Sequence, residues 1–83
     1  MTHILIVEDD LAFGTMMQTW LKKKGFETRR STSVGAAARL LTDGTKPDLV
    51  LSDLRLPDHD GLFLLGWMRK RGHNAPFIVM TNY

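Results

Sequence analysis

The acidic residues of this sequence come in groups. Glu8, Asp9 and Asp10 follow one short apolar run, Asp53 follows a second, and Thr81 follows a third. Asp58 and Asp60 lie a few residues beyond Asp53. Two carboxylates about 5 Å apart repel by roughly 3 kcal/mol at an effective dielectric near 20. A cluster of three therefore needs a raised pKa, a basic neighbour or a cation. A hard divalent ion suits an all-oxygen cluster, and Mg2+ combines one or two carboxylates with waters and phosphate oxygens. A carboxylate beside such an ion can attack a phosphoryl group and become an aspartyl-phosphate. A hydroxyl such as that of Thr81 can then hold one phosphate oxygen.

The elements that must bring these groups together are legible from periodicity. Ile4-Leu5-Ile6-Val7 is apolar on both faces and β-branched at three of its four positions, the pattern of a central parallel strand. Asp10, or else Asp9, caps a helix from Leu11 to Lys24. In it Phe13, Met16, Met17, Trp20 and Leu21 recur at helical spacing, which predicts a core face. Lys22–Lys24 suits the last turn and Gly25 the position after it. Phe26 to Arg30 is a weaker strand candidate. Ser33 caps a second helix through Ala36, Ala37, Ala38, Leu40 and Leu41, ending near Gly44. Leu49-Val50-Leu51 is the next strand and closes at Ser52-Asp53. A loop rich in turn formers, Leu54 to Gly61, follows. Leu62 to Arg71 is a third helix, with a predicted core stripe of Leu62, Leu65 and Met68. Phe63 and Trp67 share another face, and Gly66 inside the helix costs about 1 kcal/mol, which suggests a packing role. Phe77 to Met80 is a fourth apolar strand, ending at Thr81.

The order β-α-β-α-β-α-β specifies a parallel sheet with helices on both faces. In such sheets ligands bind beyond the carboxyl ends of the strands, where strand order reverses. If the first and third strands are neighbours, Glu8, Asp9 and Asp53 converge at one edge.

Composition narrows the function classes. The 83 residues suffice for one small domain, with an expected radius of gyration of roughly 12 Å. A hydrophobic fraction of 43% with 24% charged residues excludes a disordered tail. The chain has no cysteine, so disulfides, Cys-based zinc sites and thiol catalysis are excluded. No apolar run approaches the ~18 residues of a membrane span, and no secretory leader is visible. The expectation is a cytoplasmic protein with no membrane partner. A net charge of +2 says little about partners, because Lys22–Lys24 and Arg69-Lys70-Arg71 suit solvated helix ends. His3, His59 and His73 read as lone solvated residues.

Three segments carry a family resemblance. They are Ile4 to Asp10; Asp48-Leu49-Val50-Leu51-Ser52-Asp53-Leu54-Arg55-Leu56-Pro57 with Asp60-Gly61; and Pro76-Phe77-Ile78-Val79-Met80-Thr81. Together they resemble the receiver domain of two-component response regulators. The resemblance implies a flavodoxin-like α/β fold with sheet order 2-1-3-4-5. It implies that Asp53 is the phospho-acceptor and that Mg2+ is the cofactor. Asp9 would hold the ion directly and Glu8 through water, with Asp53 and the backbone carbonyl of Arg55 completing the metal set. Thr81 resembles the switch hydroxyl. A histidine kinase is the implied phosphoryl donor, and DNA is reached only through an output domain outside this chain. Such a module catalyses its own phosphorylation and is not a turnover enzyme.

The departure is one of length. Receivers continue through a fourth helix, a fifth strand with a phosphate-binding Lys, and a fifth helix. The expectation is a single truncated receiver over residues 1–83, with order 2-1-3-4. Its last strand would be an exposed apolar edge, which predicts a homodimer through that edge or by exchange of elements. Two other readings compete. An aspartyl-nucleophile Mg2+-dependent phosphatase or phosphotransferase would place its nucleophile after the first strand with a second Asp two positions on, which Glu8-Asp9-Asp10 does not match. An inert interaction fragment would not respond to Mg2+.

Overall fold

The computed structural model describes residues 1–81. Its elements are β1 (His3–Val7), α1 (Leu11–Lys23), β2 (Glu27–Ser31), α2 (Val34–Thr42), β3 (Leu49–Asp53), α3 (Gly61–Lys70) and β4 (Phe77–Met80). The four strands form one sheet in the order β2-β1-β3-β4, and every pairing is parallel. The radius of gyration is 11.7 Å. No helix among the described residues is long and apolar enough to cross a membrane.

Strand alternation sorts the apolar side chains to two faces. On one face Leu5, Val7 and Val50 pack with Val34, Ala37 and Leu41 of α2 and Leu64 and Met68 of α3. On the other, Ile4 and Ile6 pack with Leu21 of α1, and Met17, Phe26, Leu49 and Leu51 join at the margin. Two helices thus cover one face and a single helix covers the other. That asymmetry leaves Ile78 of β4 half exposed on the α1 side.

Each helix starts on an acid or hydroxyl cap. Asp10, Ser33 and Asp60 accept from the amides of Phe13, Ala36 and Phe63, which satisfies N–H groups that have no partner within their helix. Asp10, not Asp9, is therefore the cap of α1. Lys22 and Lys23 sit in its last turn, and Gly25 follows at φ 93°, a conformation a side chain would strain.

Two predicted core faces are corrected. The stripe Phe13, Met16, Met17, Trp20 does not point inward. Met16 is 58% and Trp20 59% exposed, Phe13 is exposed, and only Met17 is half buried. The helix packs instead through Gly14, Gln18 and Leu21. The reason is the polar outer strand β2. Arg30 lies across Gly14, where a Cβ would come within 2.7 Å of its guanidinium. It donates to the Leu11 carbonyl at 3.3 Å and to Thr15 Oγ1 at 3.2 Å. Gln18 donates to Thr28 Oγ1 at 3.2 Å. These contacts seat the helix beside β2, and Met16, Met17 and Trp20 lie with Leu21 and Leu51 along an apolar groove on the open part of the same sheet face.

In α3 the buried stripe is Gly61, Leu64 and Met68, with Leu65 half buried and Leu62 53% exposed. Phe63 and Trp67 part company. Trp67 packs on the core margin under the Arg71 guanidinium. Phe63 stays exposed and stacks on His59 at 4.1 Å. A Cβ on Gly66 would have nothing within 4 Å, so no packing role explains this glycine.

Candidate functional site

Parallel pairing of β1 with β3 sets Val7 beside Ser52. The chain then leaves both strands at the same end of the sheet, and the next residues are Glu8-Asp9 and Asp53. One carboxylate oxygen from each of Glu8, Asp9 and Asp53 lies within 4.8 Å of the others. Glu8 is buried at 4% exposure, Asp53 is half buried and Asp9 is exposed. The order β2-β1-β3 reverses direction between β1 and β3, so the cluster sits where an open parallel sheet seats its ligand.

The electrostatics follow from placement. The Glu8 amide donates to the Ser31 carbonyl at 3.0 Å, which fixes its backbone beside β2 and turns its side chain into the cluster. Burial, with the nearby Asp53 carboxylate adding to it, pushes the Glu8 carboxyl up to about 7. The Asp10 amide, 3.2 Å from Glu8 Oε2, opposes that rise. A buried acid held against two others is a site short of positive charge. Three hard oxygens in that setting fit a hard divalent cation.

The remaining predicted residues lie around this cluster. The Arg55 amide approaches Asp53 Oδ1 at 3.4 Å, and the backbones of Arg55 and Asp60 form an isolated antiparallel bridge across the loop. Asp53 pairs with Met80 across β3 and β4, and the Leu54 amide donates to the Met80 carbonyl at 2.9 Å. Thr81 is therefore one residue beyond the β4 position that neighbours Asp53, and it is exposed.

Two residues escaped the sequence reading. Ser52 Oγ donates to the Asp53 carbonyl at 2.9 Å and is fully buried. Asp58, read only as a turn former, bonds to the first turn of α2. Its partners are 24 and 23 residues away, so no local signal could have found them.

An open parallel α/β sheet with carboxylates gathered at its strand-order reversal defines a class of domain that seats its ligand between the strand ends. The response regulator receiver domain model matches residues 4–83, and the chain belongs to that family. Among curated proteins, 81 residues are 38% identical to the regulatory protein AtoC of Escherichia coli, covering 98% of this chain and 17% of that one. The photosynthetic apparatus regulatory protein RegA of Rhodobacter capsulatus is 34% identical over 80 residues, covering 96% of this chain and 43% of RegA. The chain thus spans less than half the length of these relatives.

Among solved structures, the MaeR response regulator bound to beryllium trifluoride superposes with a TM-score of 0.88 at 35% identity, over 100% of this chain and 69% of that one. A CheY-like receiver domain from Methylobacillus flagellatus reaches a TM-score of 0.92 at 27% identity, over 100% of this chain and 71% of that one. The sheet order expected from the sequence and the flavodoxin-like architecture both agree with these neighbours.

Proposed function

We propose that the chain is a receiver module of two-component signalling that accepts a phosphoryl group on Asp53 with Mg2+ as cofactor. The observation that carries this reading is the convergence of Glu8, Asp9 and Asp53 within 4.8 Å at the reversal point of the sheet.

Asp53 is the nucleophile. One carboxylate oxygen forms a bond to phosphorus as the bond to the donor's histidine nitrogen breaks, and the electron pair leaves with the imidazole. A Mg2+ ion bound there supplies compensation for the phosphoryl oxygens and the acids. Asp9, the exposed member of the cluster, and Asp53 would be its carboxylate ligands. Glu8 would act through water, and the Arg55 carbonyl would be a further oxygen donor. The Thr81 hydroxyl holds a phosphoryl oxygen once transfer is complete. The donor is a histidine kinase. Nothing in this cycle is a turnover reaction on a released substrate.

We further read residues 1–83 as belonging to a single receiver domain. The module is cytoplasmic, makes no membrane contact, and reaches DNA only through an output domain in a longer protein. Its apolar β4 edge pairs with a second copy.

The test is the protein mass after incubation with Mg2+ and acetyl phosphate, with Asp53→Asn as control. A gain of one phosphoryl group that Asp53→Asn abolishes supports the reading. Equal labelling of both proteins, or none in either, overturns it.

A further inference from the structure

We infer that Asp58 is a positioning residue: its carboxylate clamps the loop between β3 and α3 to the first turn of α2 and thereby holds the Arg55 segment in register with the carboxylate cluster. The inference rests on the proposed metal site for its functional consequence. The clamp itself stands on geometry.

The loop from Leu54 to Asp60 carries Arg55, and its base is fixed at several points. The Leu54 amide bonds the Met80 carbonyl, the Gly61 amide bonds the Leu54 carbonyl at 2.8 Å, and the backbones of Arg55 and Asp60 form an antiparallel bridge. Its tip, Pro57 to His59, is exposed. Asp58 ties that tip down. Oδ1 accepts from the Val34 amide at 3.0 Å and from the His59 amide at 3.0 Å. Oδ2 accepts from the Gly35 amide at 2.8 Å. Both oxygens of one carboxylate thus grip successive amides of another element, which fixes orientation as well as distance.

The helix does not need this carboxylate as its cap. Ser33 Oγ already accepts from the Ala36 amide at 3.0 Å. Val34 and Gly35 would otherwise present their N–H groups to water, as first-turn amides commonly do. Gly35 supplies room, since even a Cβ there would sit 3.3 Å from Asp58 Oδ2. The Gly35 amide, with Val34 next, also holds the Asp58 carboxyl below the ordinary carboxylate range. The clamp therefore stays charged at neutral pH, where the positive end of the α2 dipole favours it.

The experiment compares Asp58→Ala with Ser33→Ala in the full chain. Ser33→Ala removes the other cap of the same helix and leaves the clamp. Free Mn2+ is followed by electron paramagnetic resonance as a probe of the cluster, and exchange of the Leu54 and Gly61 amides is followed by NMR without metal. In Asp58→Ala we expect Mn2+ affinity to fall about tenfold, as for other groups that orient a metal's ligands, and both amides to exchange faster. Ser33→Ala should leave affinity and loop exchange unchanged. Equal behaviour of the two variants overturns the inference. If the parent protein takes up no Mn2+, the metal reading fails, and the exchange data still decide the clamp. Should Asp58→Ala not fold, Asp58→Asn, which keeps Oδ1 and loses the charge, replaces it with a smaller shift in the same direction.

Discussion

Gly61 lies against the main-chain oxygen of Asp53 so closely that no Cβ fits between them. Ser52 Oγ, which donates to that same oxygen, is the next neighbour. Gly61 is not at positive φ, so its requirement is steric and not conformational. The contact fixes the start of α3 on the end of β3 and sets which face of the helix meets the core. Gly61→Ala must push the Asp53 carbonyl aside and disturb the Ser52 bond. We expect a loss of about 2 kcal/mol in urea unfolding, in the range for overpacked cores. Phosphoryl acceptance at Asp53 should fall with it. A variant with parental stability would show that the backbone yields freely at this point.

Gly66, five residues along the same helix, is the opposite case. It is exposed, and a side chain there would meet nothing. Gly66→Ala should stabilise the domain by roughly 0.5–1 kcal/mol through helix propensity and a less flexible unfolded chain. The midpoint of urea denaturation should rise with an unchanged slope.

Glu8 makes metal-free stability depend on pH. Its carboxyl titrates near 7 in the folded protein against an ordinary value of 4.5. Between those values the folded state holds a proton that the unfolded state has released, so stability falls as pH rises through this window and levels off above about 7. The whole effect is on the order of 3 kcal/mol. Glu8→Gln should flatten the pH profile and be more stable than the parent at pH 8. A divalent ion displaces the same proton, so its affinity should climb with pH below about 7 and then plateau. Unfolding curves from pH 5 to 8, with and without Mg2+, test both halves. A parent profile that rises across this range would contradict the assignment.

What the sequence disclosed and what it hid have separate physical causes. The strands β1 and β3 were readable because a strand covered on both faces is a continuous apolar run, and β4 because its run is equally apolar although Ile78 stays half exposed. The caps Asp10 and Ser33 and the convergence of Glu8, Asp9 and Asp53 follow from that alternation and the usual topology of parallel sheets. The faces of α1 and α3 were not readable. Both helices are apolar around much of their circumference, so periodicity leaves the phase open. Local contacts decide it: Arg30 over Gly14 in one case and Gly61 against Asp53 in the other. The consequence is visible at single residues, with Leu64 fully buried and Leu62 53% exposed two positions apart. The Asp58 clamp was hidden because its partners are remote in sequence.

The sheet edge offers the last prediction. β4 pairs only with β3 among the described residues, and Ile78 is 50% exposed on the face covered by α1 alone. On that face Met16, Met17, Trp20, Leu21 and Leu51 line an apolar groove of about 290 Å³. A free apolar strand edge is a template for pairing with another chain. Ile78→Lys puts a charge on that edge and removes little buried area, so it should change monomer stability by no more than about 0.5 kcal/mol. Sedimentation velocity at ~100 µM, well above the micromolar range in which exposed strand edges begin to associate, should show the parent chain self-associated and Ile78→Lys monomeric. A parent that sediments as a monomer at that concentration rules out pairing through β4. Association that survives Ile78→Lys directs attention to the exposed stripe of Met16 and Trp20 on α1.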